Sequence, residues 1–452
     1  MIPQFVRVAA IDNEQEHLDK IYSGLVSAGY WVMPFLYDLG TIVPTPPKPF
    51  NGVRIVFTDI HLLEGGMNNM AQQALAIMSS LKKIVCDGPY AVIFWTNHPD
   101  DAKAVFADIM ARAESNGLVP PVGYGCIDKN LVLALDDNPE RLPELIGQVS
   151  DAISACGALL LSISWEERVS QASIRSTHRL FELTKQPDNE GSLARWHKLL
   201  AYLSTEAVGD AQARLSPVAA MDAALLPILE DRLDVSAEYV TQLNDFLAQE
   251  FGNRPEEISK SSLNTHYLVS NLQNGAAASP SGRGVVSLID RASWDQNYPE
   301  LWGANCAEVL SAEFLLPVPK PDSKEFLDSL VPCVVTLTAE CDDVQGKVYS
   351  YRYLLGVFVP FSKANKARYF TSTKSKYANL SIFEVGVLSL DLDGELKDYC
   401  LLVSCNRFFA KPTRDLLHVE PKLRLRRATL EELSHHYTTH ARRPGVMRFP
   451  VQ

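Results

Sequence analysis

A chain of 452 residues, 46% hydrophobic and 21% charged, is too long for one ordinary core and has the balance of a soluble protein of two or three domains. Its formal net charge of −12 removes any global electrostatic case for nucleic-acid binding, and no apolar run reaches the roughly 18–20 residues that span a bilayer. Eight cysteines, scattered singly without a CxxC pair, exclude a disulfide framework or zinc knuckle, and the start MIPQFVRVAAIDNEQ lacks the marks of a signal peptide, so a cytoplasmic location away from membranes is expected.

The first third alternates β-rich runs with amphipathic stretches. VRVAAI at 6–11 is a continuous apolar run of the kind found in strands covered on both faces. Leu18, Ile21, Leu25 and Val26 then recur at helical spacing until Gly29. YWVMPFL at 30–36 predicts a second strand, followed by a proline-rich loop, IVPTPPKPFNG. A third strand is expected at 53–60 and a helix at 70–84. A fourth strand at 90–96 leads into NHPDD, a helix start with Pro99 and Asp100 in its first turn. A fifth strand is expected at 122–128 and a further helix at 142–153. This alternation predicts an α/β unit over 1–157, a doubly wound five-stranded parallel sheet with its ligand site at the carboxyl ends of the strands.

Four helix-like segments between residues 162 and 251 predict a helical middle region over 158–284, closed by the breaker-rich stretch GAAASPSGRG. Residues 285–452 return to strands (CVVTLTAEC, YSYRYLLGVFVPF, LSIFEVGVLSLD, YCLLVSCNRFFA) and end in a helix, ATLEELSHHYTTHARR, which reads as an α+β domain. In its basic stretch KLRLRR, Leu423 and Leu425 alternate with Arg424 and Arg426. That pattern fits a strand with one charged face, or a dock for an acidic partner or nucleic acid.

The predicted strands of the first third end in chemically pointed residues. Asp12-Asn13-Glu14 follow the first, Asp59 the third, Thr96 the fourth and Asp128-Lys129 the fifth. A parallel sheet brings these ends together, so carboxylates, a hydroxyl and an ammonium converge. Hard oxygen ligands suit Mg²⁺. An attacking carboxylate, a cation to neutralise phosphoryl oxygens and a hydroxyl to orient one of them form the kit of phosphoryl transfer. Each residue also has a plain structural use. Asp59 can cap a turn, the 12–14 acids can start a helix, Thr96 can be an N-cap and Lys129 a solvated loop lysine.

Carried by AAIDNEQEHL, IVFTDIHLLEGG, AVIFWTNHPDD and CIDKN, this arrangement resembles the receiver domain of bacterial two-component response regulators, over about 30% of the chain. The resemblance implies a flavodoxin-like receiver whose Asp59 accepts a phosphoryl group from a histidine kinase. Asp12, Asn13 or Glu14, and Asp59 would hold Mg²⁺, with Thr96 as switch hydroxyl and Lys129 paired to Asp59. The chain departs from the pattern at neutral Asn13, at Leu63 and Asn130 in place of prolines, and at Cys126 where many members carry an aromatic. His61 and His98, each two residues beyond a key position, are expected to modulate hydrolysis of the acyl phosphate, as an imidazole can hold or deprotonate a water.

The whole plan is similar to the buffering receiver protein of Detocs-type phage-defence systems. That implies a phosphate sink, with a histidine kinase and other proteins of the defence operon as partners. Two alternatives stay open: a C-terminal toxic or catalytic effector released by phosphorylation, and an acidic transcriptional regulator.

Overall fold

Every residue of β1 (Val8–Asp12) is buried, and strand alternation explains how so continuous an apolar run is satisfied. Val8 and Ala10 enter a core shared with α1 (Gln15–Ser27), while Ala9 and Ile11 enter a separate core on the opposite face. The computed structural model describes residues 8–63, 70–135, 138–185, 192–233, 258–272, 282–297, 299–315, 324–362, 381–412 and 419–441.

The first sheet contains β1, β2 (Val32–Asp38), β3 (Thr41–Val43), β4 (Ile55–Thr58), β5 (Ala91–Thr96) and β6 (Gly123–Asp128), in the order β3-β2-β1-β4-β5-β6. All neighbours are parallel except β2 and β3. α2 (Met70–Ile84) and α3 (Pro99–Arg112) cover the face that carries Val56, Val92 and Phe94. α1, α4 (Lys129–Leu133) and α5 (Leu142–Ser154) cover the face that carries Ile55, Phe57, Ile93 and Trp95. Gly125 on β6 lets α5 lie this close: a Cβ there would meet Ala152 Cβ at 2.7 Å and Ala152 Cα at 2.9 Å.

Six strands replace the five expected, and the sixth comes from the stretch read as a proline-rich loop. Ile42 and Val43 pair antiparallel with Leu36 and Tyr37. The reason is the connection: Leu39 and Gly40 both have positive φ, 47° and 80°, which matches the twist of a two-residue hairpin. Ile42 is then fully buried while Leu39 is 96% exposed. Residues 44–54 reach β4 without a helix.

The chain divides into two compact units, Met1–Lys185 with Pro227–Gly252, and Gln186–Leu226 with Asn253–Gln452. These bounds differ from the expected three parts at 1–157, 158–284 and 285–452. α6 (Gly157–Glu182) stays with the first unit for two reasons. Leu159 is buried with Ala91 and Cys156, and Glu166 takes a forked hydrogen bond from Arg54, with Nη2 at 2.8 Å and Nε at 3.0 Å.

Of the helical middle region, α7 (Ser192–Val208), α8 (Asp210–Leu215) and α9 (Pro217–Asp231) are present, while the fourth expected segment at 238–251 and residues 275–281 of the expected linker lie outside the described residues. The second unit holds a seven-stranded sheet whose first strand precedes that linker. α10 (Lys260–Leu268) leads into β7 (Val269–Asn271), and β8 (Val285–Leu288), β9 (Val331–Thr336), β10 (Ser350–Pro360), β11 (Ile382–Asp391), β12 (Leu396–Pro412) and β13 (Glu420–Leu425) complete the order β11-β12-β10-β9-β8-β13-β7. Its paired strands are antiparallel. α11 (Cys306–Phe314) packs into one of the unit's cores with Tyr353 and Val357, and α12 (Arg427–Ala441) into another with Leu354 and Phe358.

In β13 Leu423 and Leu425 are buried and Arg424 is exposed, as expected for a strand with one charged face. Arg424 and Arg426 donate to the carbonyls of Arg283 and His266, so their charge supports local backbone. No helix among the described residues is long and apolar enough to cross a membrane.

Candidate functional site

Because β1, β4, β5 and β6 are parallel, their carboxyl ends share one rim. Asp12 is the last residue of β1, Thr96 of β5 and Asp128 of β6. Asp59 follows β4 directly, and its N–H donates to Ile11 O at 3.1 Å, which keeps it level with Asp12. The Asp128 carboxylate accepts the Asn130 N–H at 2.9 Å and so starts α4, placing Lys129 on the first helical residue.

From there the Lys129 ammonium reaches back over the rim. It donates to Asp59 Oδ2 at 2.5 Å and to Asp12 Oδ2 at 3.2 Å. All three side chains are buried, with Asp12 at 0% exposure. Burial pushes the Asp12 carboxyl up to about 6, although the Lys129 charge and the Glu14 amide both pull it down. Burial also pulls the Lys129 ammonium down, but the two aspartates together outweigh it and hold the group above its ordinary value. The pocket therefore has two acids and one firmly charged cation.

The other expected residues divide. Thr96 reaches the same rim, buried, and its hydroxyl accepts the His98 N–H at 2.9 Å. Asn13 stands beside Asp12, and its Oδ1 is buried without a hydrogen-bond partner. Glu14 gives the pocket its N–H, 2.8 Å from Asp12 Oδ1, while its exposed carboxylate turns to His17 Nδ1 at 3.4 Å. His61 donates its N–H to Asp59 Oδ1 at 3.2 Å. The His61 ring meets the His98 ring edge to face, centroids 5.8 Å apart. Two histidines from different loops thus pair through their rings, and one of them is tied to the Asp59 carboxylate by its backbone N–H.

Among the described residues no cluster of three or more His, Cys, Asp or Glu is placed to hold a metal. The oxygen donors at the rim are the Asp12 and Asp59 carboxylates, joined through Lys129, and the next residue after Asp12, Asn13, has its amide oxygen buried without a partner. A hard cation that binds through two carboxylates and completes its shell with water and phosphate oxygens fits that set.

Two residues at the site escaped the sequence reading. Trp95 is fully buried, with Lys129 Nζ 4.7 Å from its ring centroid. His17 stands edge-on to the same ring at 6.4 Å, with Nδ1 4.0 Å from Asp12 Oδ1. Both lie inside the stretches AAIDNEQEHL and AVIFWTNHPDD, but nothing in their spacing marks them, and only the packing of α1 and α4 on this face of the sheet brings them to the rim.

The raised Asp12 carboxyl makes a stability prediction. An acid whose folded pKa lies above its unfolded value favours the fold when protonated, so ionisation above about 6 works against it. Asp12→Asn removes that penalty. Chemical denaturation should find the variant more stable than wild type at about pH 8, by on the order of 3 kcal/mol, and the gain should vanish as pH falls towards about 4. A gain independent of pH would contradict this account.

No protein-family model matches the chain, and no curated protein matches it.

Proposed function

We propose that the first unit is a receiver-type phosphoacceptor that takes a phosphoryl group from a histidine kinase onto Asp59. The single observation that carries this reading is the Lys129 ammonium bonded at once to Asp59 and Asp12 on the carboxyl rim of a parallel sheet. Leaving aside β3, the parallel strands run in the order second, first, third, fourth, fifth, which is the flavodoxin-like order, and helices on both faces support a doubly wound sheet.

In the transfer, an Asp59 carboxylate oxygen attacks phosphorus in line. The new O–P bond forms as the N–P bond to the kinase imidazole breaks, and the imidazole keeps the electron pair and takes a proton. Lys129 then neutralises a phosphoryl oxygen, and the Thr96 hydroxyl, freed from His98, can donate to another. Asp12, Asp59 and Asn13 would hold Mg²⁺, which when bound supplies charge neutralisation for the transferring group.

We extend the proposal to a draining role in a defence phosphorelay, in which water hydrolyses the acyl phosphate and inorganic phosphate leaves. His61 and His98 favour that role, because their rings pair on the loops that follow Asp59 and Thr96, and an imidazole there can hold and deprotonate the attacking water. Water attacks phosphorus, the Asp59 O–P bond breaks, and the products are inorganic phosphate and the regenerated carboxylate. Replacing both histidines with alanine should lengthen the acyl-phosphate half-life by tenfold or more, on the order expected for loss of a general base. An unchanged half-life would remove the histidines from the mechanism.

The test of the main reading is phosphoryl transfer to the full chain from a phosphorylated histidine kinase, or from a small acyl-phosphate donor with Mg²⁺. Label should appear as a hydroxylamine-sensitive acyl phosphate. No incorporation from either donor would sink the reading. For the draining role, cells overproducing the phosphorylated protein should grow normally, whereas poisoned growth would mark an effector.

A further inference from the structure

We infer that Trp95 is a positioning residue for Lys129: the indole face fixes the ammonium where it bridges Asp12 and Asp59. This rests on the phosphoacceptor reading for its consequence, though not for its geometry. Lys129 Nζ lies 4.7 Å from the Trp95 ring centroid, within range of a cation–π attraction, which strengthens when both partners are desolvated. Here Trp95 is fully buried and Lys129 nearly so.

The surroundings give the ring a specific task. Two carboxylates pull the ammonium from one side, and a flexible four-carbon stem could meet them in several rotamers. The indole supplies a third, flat contact that leaves fewer of these. The ring is itself held, since Trp95 belongs to the core with Ile21, Ile127, Leu131 and Val149, and His17 stands edge-on to it. A purely space-filling role explains the choice of side chain poorly. Trp95 Nε1 is buried with no hydrogen-bond partner, a cost that an aliphatic residue at this core position would not carry. What the indole adds over an aliphatic chain is its electron-rich face, and Lys129 is the cation over it.

Trp95 therefore acts through Lys129 rather than on the phosphoryl group. If Lys129 is held in the productive rotamer before a donor arrives, the ordering cost is not met during transfer. Loss of the ring should slow formation of the acyl phosphate while leaving Asp59 chemically competent.

The experiment separates ring electrostatics from ring volume. Full-length protein is made with tryptophan carrying increasing numbers of ring fluorines, which weakens the negative face with little change of shape. All six tryptophans are exchanged, so Trp95→Phe protein fluorinated in the same way is the control. The rate of Asp59 phosphorylation from a small acyl-phosphate donor should fall stepwise with fluorination, by about tenfold at the highest level, and should not respond in the Trp95→Phe background. A rate that ignores fluorination in both proteins, or falls equally in both, overturns the inference.

A second measurement needs no phosphoryl transfer. In protein labelled at lysine Cε, one methylene signal should be displaced upfield by the indole ring current, and it should be absent in Lys129→Arg and move less in Trp95→Phe. If no such signal exists, the placement is wrong. If the signal exists but wild type takes no phosphoryl group, the phosphoacceptor reading fails while the Lys129–Trp95 pair stands.

Discussion

Lys129→Met is expected to destabilise the first unit by about 3–5 kcal/mol near neutral pH, and to slow acyl-phosphate formation at least a hundredfold. The stability loss follows from what remains. Asp12 and Asp59 are both buried and both bonded to the one ammonium, so its removal leaves adjacent carboxylates without a counter-charge. Methionine fills much of the stem's volume, which keeps cavity formation out of the comparison. The pH dependence identifies the cause. The Lys129 charge holds the Asp12 carboxyl down, so its loss lets that carboxyl rise above about 6. An acid raised further stabilises the fold when protonated. The defect should therefore be largest at alkaline pH and shrink as pH falls. Millimolar Mg²⁺ should recover part of the loss by binding the folded state alone. Denaturant melts of wild type and variant across pH, with and without the cation, read all three effects. A defect independent of pH would mean that Lys129 supports the fold by packing instead.

Asp59→Asn should abolish incorporation of phosphate and leave the protein folded. The amide has the carboxylate's shape but no nucleophilic oxygen anion, and the neighbouring carboxylate among the described residues, Asp12, is 0% exposed and bonded to Lys129. The charge balance improves, because one ammonium then faces one carboxylate. Asp59 contributes to raising Asp12, so the variant's Asp12 carboxyl should titrate lower than about 6. The matching measurement is phosphate incorporation with denaturant stability on one preparation. Residual acid-labile or hydroxylamine-resistant label would point to another acceptor. Unfolding of the variant would show that Asp59 has a structural task the present account omits.

Much of the site was legible because its residues follow strands whose apolar runs are hard to mistake. VAAID, IVFT and AVIFWT are buried along their whole lengths, and such runs stop where polar residues begin. Asp12, Asp59 and Thr96 mark those stops. Other parts were not legible. β3 was hidden because its strand character depends on Leu39 and Gly40 taking positive φ, and leucine does not advertise that conformation. The unit boundary was hidden because α6 is kept with the first unit by Arg54 and Glu166, 112 residues apart in sequence. Cys126 stands where the receiver resemblance expects an aromatic, whereas Tyr124, two residues earlier on β6, packs its ring tilted against Phe106 of α3, centroids 4.6 Å apart. Pairings between distant elements leave no local spacing to read.

The sequence by itself determined which residues carry reactive groups and the order in which they leave successive strands. That information is local: apolar periodicity sets the strands, and the first polar residue after each marks its end. Only the tertiary structure decided that one ammonium joins Asp12 to Asp59, that Glu14 turns outward to His17, and that an indole lies beneath Lys129. Those facts depend on the parallel registers of β1, β4, β5 and β6 and on side-chain directions at the rim, and these are set by packing across the whole sheet.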